Sequence, residues 1–206
     1  MNTTVKNTII LTIITVIAGL LLGYVYDITK EPIAVQKEKA KNEAYLKVFE
    51  TAASFEEVPV LDLSQSDAVL QAAGLTEQSI DEVLAAKAQD GSVLGYVMSV
   101  TTKEGYGGDI TFSMGITNDG VMNGYEVLSI AETAGLGMKA ADDAFMSQFA
   151  NKKVAKFAYT KTGSTSEFEV DAISGATITT NAIVNGVNAG LAYFASIPVE
   201  GGAQNE

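Results

Sequence analysis

A chain of 206 residues with 47% hydrophobic content holds enough apolar material for one membrane anchor and one core of roughly 150 residues, while its formal net charge of −12 argues against nucleic acid as a partner, since that binding draws on clustered cations. All 13 basic residues are lysine, so the guanidinium fork that commonly clamps phosphorylated ligands is missing. Histidine and cysteine are absent too, which excludes His/Cys zinc sites, Cys-ligated iron–sulfur clusters, His- or Cys-ligated haem and Ser/His or Cys/His nucleophilic catalysis.

Beyond an N-terminal tail (1–7), the run from Thr8 to Tyr26 carries no charge. At about 1.5 Å per residue it spans a hydrocarbon core of about 30 Å. It predicts a single transmembrane helix over 8–27, because it exceeds the apolar region of a cleaved signal peptide and no A-x-A site follows. Lysines flank both ends, and the long segment that follows translocates largely regardless of charge; the residues leave orientation open.

Residues 28–90 read as a charged stalk and a helical segment. Ile33, Ala40, Ala44 and Val48 fall near one face at helical spacing. Two short helices are expected next, one starting near Ser64 and one near Ser79, where Ser79 and Glu82 have capping-box spacing. Beyond Gly91 the period changes to two: Ile110, Phe112, Met114 and Ile116 alternate with Thr111, Ser113 and Gly115, and Asn118-Asp119-Gly120 supplies a turn. Val93–Thr101 and Val121–Ile130 predict flanking strands, 139–150 a helix, and Phe168 with Val170 a short strand. Ile183, Val187, Leu191 and Phe194 form the stripe of an amphipathic helix whose first turn lies near Thr177–Thr180. The expectation is an α+β domain over 91–197 with a disordered tail over 198–206.

Three glycine-rich clusters sit at element ends: Gly105-Tyr106-Gly107-Gly108, Glu132-Thr133-Ala134-Gly135-Leu136-Gly137, and Ser174-Gly175-Ala176-Thr177. Such turns let backbone amides approach a ligand, and each is equally readable as a tight turn. A threonine hydroxyl at the start of the last helix can cap it. The same place suits a phosphate, because unpaired amides and the positive dipole end stabilise an anion without arginine. Glu132 and Asp171 are open to acid/base or solvated roles, Tyr106 to a turn or a ligand wall, and Lys139 is a candidate for stabilising a reduced anion.

In order along the chain, the anchor, the Gly105–Gly108 turn, Glu132-Thr133-x-Gly135-Leu136-Gly137 and Asp171-x-x-Ser174-Gly175-Ala176-Thr177 resemble the FMN-binding domain of the G subunit of Rnf-type ion-translocating electron-transport complexes. They are similar also to the C subunit of the sodium-translocating NADH:quinone reductase. The family's proline is Ala134 here, which puts the stiffness of that loop in doubt. The resemblance implies an antiparallel-sheet FMN-binding domain with flanking helices behind one transmembrane helix. It further implies covalent FMN, joined by a phosphoester to Thr177 by a flavin transferase that recognises Asp171, Ser174, Gly175 and Ala176. Glu132, Thr133, Gly135, Leu136 and Gly137 would line the ring together with Tyr106 and Gly107. The implied role is that of an electron carrier rather than a stand-alone catalyst, working with other subunits of a cell-membrane complex from the non-cytoplasmic side. Two alternatives stay open on the residues: a flavin-free anchored interaction module, and a covalent flavoprotein of another extracellular electron-transfer chain.

Overall fold

The computed structural model describes residues 2–58 and 63–197; the expected tail over 198–206 lies outside them. The chain divides into two compact units, Met1–Ala40 and Lys41–Glu206. The first is the greater part of a continuous helix α1 (Thr3–Val48), which begins ahead of the uncharged run. Its large apolar side chains from Val5 to Ile28 are exposed, and among the described residues it is the one helix long and apolar enough to cross a membrane.

The second unit is built on a five-stranded antiparallel sheet in simple meander order: β1 (Ser54–Glu57), β2 (Gln78–Lys87), β3 (Val93–Thr102), β4 (Ile110–Thr117) and β5 (Met122–Ser129). Alternation decides which residues face which way. Tyr96, Met98, Val100, Ile110, Phe112, Met114 and Ile116 enter one apolar cluster, and Val97 and Ala86 enter another on the opposite face. The first face is covered by α4 (Thr177–Ser196), whose Ile183, Val187 and Leu191 are buried as the stripe predicted. The second face takes the end of α1, where Tyr45 and Val48 pack with Phe49. Of the stalk residues, Ala44 and Val48 are therefore covered while Ile33 is exposed.

Glycine sets how closely α4 lies on the sheet. A Cβ on Gly186 would stand 2.8 Å from Phe112 Cε1, and one on Gly190 would overlap Met114 Sδ. Shape thus fixes the helix where a larger side chain would lift it away.

Three expectations are corrected. A helix does start near Ser64, as a 3₁₀ turn over Leu63–Gln65 followed by α2 (Ser66–Ala72), but the segment at Ser79 is strand β2, so the sheet starts upstream of Gly91. The cause is a register shift between Ile80 and Glu82: the extra residue puts Ile80 and Val83, three apart, on the buried side and imitates helical spacing. Ser79 Oγ bonds Asp81 at 2.8 Å, and Glu82 binds Lys41 at 2.7 Å together with the Tyr45 hydroxyl; neither caps a helix. The helix expected over 139–150 is broken into a 3₁₀ turn (Gly137–Ala141), α3 (Asp143–Met146) and a second 3₁₀ turn (Ser147–Phe149). Asp142 is extended and its carbonyl receives Phe145 N–H and Met146 N–H, a turn role that aspartate favours over a helix interior. Phe168 lies just outside β7 (Glu169–Asp171), which pairs in parallel with β6 (Ala158–Thr160).

Gly186→Ala is expected to lower the unfolding free energy of the full chain by about 1–3 kcal/mol, the usual cost of overpacking. Chemical denaturation in detergent measures it; unchanged stability would contradict the close approach of α4 to Phe112.

Candidate functional site

Helix α4 begins without a side-chain cap: Ala176 stands at the N-cap with φ −133°. Thr180, one turn further in, supplies a hydroxyl instead. Its Oγ1 accepts from Ile173 N–H at 3.0 Å and donates to the Ala176 carbonyl at 3.0 Å. The first-turn amides of Thr177, Ile178 and Thr179 have no preceding helical carbonyl to serve them, and that turn has no acidic side chain. Thr177, half-buried, is therefore free of capping duty at the positive end of a 20-residue helix.

The two loops facing this helix start use one device twice. Leu136 N–H bonds the Thr133 carbonyl at 3.1 Å across Ala134 and Gly135, with Gly135 at φ +76°. Ala176 N–H bonds the Ile173 carbonyl at 3.0 Å across Ser174 and Gly175, with Gly175 at φ +77°. A left-handed third residue is the mark of a type II turn and calls for glycine. The turns abut, since a Cβ on Gly175 would lie 3.1 Å from Leu136 Cδ2. Alanine at position 134 leaves the first turn closed.

Glu132 joins the loops. Only 9% exposed, it accepts Gly107 N–H at 3.2 Å. A Cβ on Gly137 would overlap its Oε2 and lie 2.6 Å from Thr179 Oγ1, so glycine at 137 admits the carboxylate beside the helix start. The Gly105–Gly108 turn is itself tied down through Glu104, whose Oε2 receives Gln78 Nε2 and Asn185 Nδ2, each at 2.7 Å. On the far side, the Tyr125 hydroxyl donates to the Ala140 carbonyl at 2.6 Å and holds the segment after Gly137 against β5; burial pushes this phenol well above its ordinary pKa.

These contacts enclose a cavity of about 520 Å³. Of the residues expected from sequence, Tyr106, Glu132, Thr133, Leu136, Gly137, Gly175, Ala176 and Thr177 line it. Ile178 and Thr179 line it as well; their place in the first turn after Thr177 is the signal for them. Gly107 contributes through its amide to Glu132, and Gly135 through the turn. Ser174 is exposed beside the cavity. Asp171 faces elsewhere: its Oδ1 accepts Ser164 N–H at 2.6 Å and its own N–H bonds Gln148 Oε1 at 2.6 Å, which fixes the strand that leads into the Ile173–Ala176 turn. Lys139 is not among the lining residues.

The family model described as the FMN-binding domain matches residues 105–192, and that of the RnfG N-terminal region matches residues 1–48. The G subunit of the Na(+)-translocating ferredoxin:NAD(+) oxidoreductase complex of Acetobacterium woodii is 30% identical over 195 residues, covering 93% of this chain and 92% of its own. The proton-translocating counterpart of Clostridium ljungdahlii is 31% identical over 178 residues, covering 86% and 84%. Among solved structures, NqrC of Shewanella oneidensis aligns with a TM-score of 0.47 at 18% identity over 72% of each chain.

Ala134 is exposed at the second position of a type II turn, the position that proline favours. Ala134→Pro is expected to raise stability by about 0.4–1 kcal/mol through the unfolded chain, read as a higher denaturation midpoint; a lower midpoint would show that the turn has another geometry.

Proposed function

Because this chain belongs to the G-subunit family of Rnf-type ion-translocating oxidoreductases, we propose that it binds FMN in the cavity at the start of α4, tethered through Thr177, and relays electrons within a membrane complex. The observation that carries this reading is the convergence of three loops far apart in sequence on one cavity whose floor is an uncapped helix start.

The residues suit the group. A volume of about 520 Å³ falls in the range of cofactor pockets, about 300–1,000 Å³. A phosphate finds donors in the first-turn amides and a favourable dipole, which answers the absence of arginine from the chain. Tyr106 and Leu136 offer apolar walls, and Gly137 and Gly175 keep the space that side chains would fill. FMN, when bound, supplies one-electron redox chemistry that none of the side chains here could supply.

The place of Thr177 in the cavity lining supports attachment there. FAD serves as donor: the Thr177 oxygen bonds the flavin-side phosphorus, the pyrophosphate P–O bond breaks, and AMP leaves with the hydroxyl proton. FAD and threonine thus become phosphothreonyl-FMN and AMP, with no change in oxidation state. Asp171, Ser174 and Gly175 are exposed, which suits recognition of this segment by a flavin transferase on the folded domain. Thr177 is then a tether, and it takes no part as acid or base. The chain is anchored through α1 with the flavin domain on the non-cytoplasmic side, and its electron donor and acceptor are other subunits of the complex.

Full-length protein expressed with a flavin transferase is expected to keep flavin fluorescence on a denaturing gel, with the Thr177 peptide heavier by one phosphoester-linked FMN. Thr177→Val loses both signals. Thr180→Val removes the hydroxyl that closes the helix start but keeps the flavin. Full flavinylation of Thr177→Val, or a wild-type protein that purifies without flavin, would overturn the proposal.

A further inference from the structure

Among the described residues, Glu132 is the only carboxylate or lysine that is buried, and it faces the cavity. It accepts a hydrogen bond from the Gly107 amide at 3.2 Å, a neutral donor. Ion pairs among the described residues include those of Glu82, Glu126 and Glu56, all outside the cavity. Among the described residues, no lysine lines the cavity. A negative charge thus sits in a partly enclosed space beside neutral groups, where burial weakens screening by water and salt. That arrangement does nothing for binding a phosphate group, which it repels. Its natural effect is on the charge state of whatever occupies the rest of the cavity.

We infer that Glu132 is the potential-setting residue of the flavin site: its uncompensated carboxylate disfavours the more negative, reduced form of FMN and so holds the reduction potential low. The inference rests on the FMN reading above. An electron delivered without a proton would add one negative charge to the site, and Glu132 would oppose that charge. The Gly107 amide and the gap at Gly137 hold the carboxylate in place, so the repulsion is not relieved by the side chain swinging into solvent.

Redox titration of the loaded, full-length protein against reference dyes tests this. Glu132→Gln keeps the shape and an oxygen for the Gly107 amide while removing the charge. It is expected to favour the reduced flavin by about ten-fold, which for a one-electron couple is about 59 mV upward. Glu132→Asp keeps the charge and should move by less than half as much. A loaded Gln variant at the wild-type potential overturns the inference alone, as does an Asp variant that shifts as far as the Gln variant. If the Gln variant does not fold or load, reduced-minus-oxidised infrared difference spectra decide. A carboxylate band in wild type that moves in Glu132→Asp supports the inference, and its absence overturns it. Intact mass is read first, so that wild-type protein lacking flavin overturns the FMN reading, and this inference with it, by a distinct signal.

Discussion

The close seat of α4 on the sheet is the constraint from which the site follows. Gly186 and Gly190 withhold the side chains that would meet Phe112 and Met114, so the helix axis can approach the strands while Ile183 and Val187 are fully buried between them. A helix placed by packing along its middle delivers its first turn to a fixed point, and the connections at that end of the sheet, after β3 and β5, meet it there. The anion-friendly end of the helix is thus aimed by apolar contacts far from any ligand. Asn185 extends the same logic, since it reaches from the helix to Glu104 and sets the root of the glycine turn.

Around that first turn, electrostatics is divided between backbone and side chain. The chain carries a net charge of −12, and among the described residues no cation lines the cavity, so attraction for a phosphate there comes from peptide dipoles. Such a site is weak for a freely exchanging anion, because amide dipoles fall off quickly and are screened by water. The proposed covalent attachment removes the need for affinity: a tethered group is present at any concentration, and the protein's residues are free to tune it. The buried Glu132, unhelpful for retaining an anion, becomes tolerable on the same account. On that proposal the carboxylate depends on the tether.

Much of this is legible in the chain. The β3–β5 strands and the α4 stripe follow from the spacing of their apolar residues, and the Asn118–Gly120 turn from its residue types. Strand β2 reads as a helix because a bulge between Ile80 and Glu82 replaces period two with a spacing of three, the one local pattern shared by bulged strands and helices. The 139–150 segment reads as one helix because Ala140, Phe145 and Phe149 are apolar at near-helical spacing; three short turns bury them as well as one helix would, with Asp142 as the break. Strands β1 and β6 are too short to leave a period. In the site, Gly135 and Gly175 can be found because left-handed turn positions demand glycine, and Thr177 because the α4 stripe marks the helix start and the motif around it resembles the family's. Gln78 and Asn185 cannot, since a polar side chain that meets Glu104 across long sequence distance leaves no local mark.

The same distinction explains what Ala134 means. Its neighbours Thr133, Gly135 and Leu136 close a type II turn by one hydrogen bond and one left-handed glycine, and a proline at 134 would add stiffness to the unfolded chain rather than a contact to the folded one. Gly135 has no such latitude, because a side chain at φ +76° is strained whatever space surrounds it. Position 134 can therefore vary while the loop keeps its shape, and Leu136 still arrives against Gly175. What holds the cavity wall is the pairing of two like turns, each with glycine third, and that pairing survives the substitution.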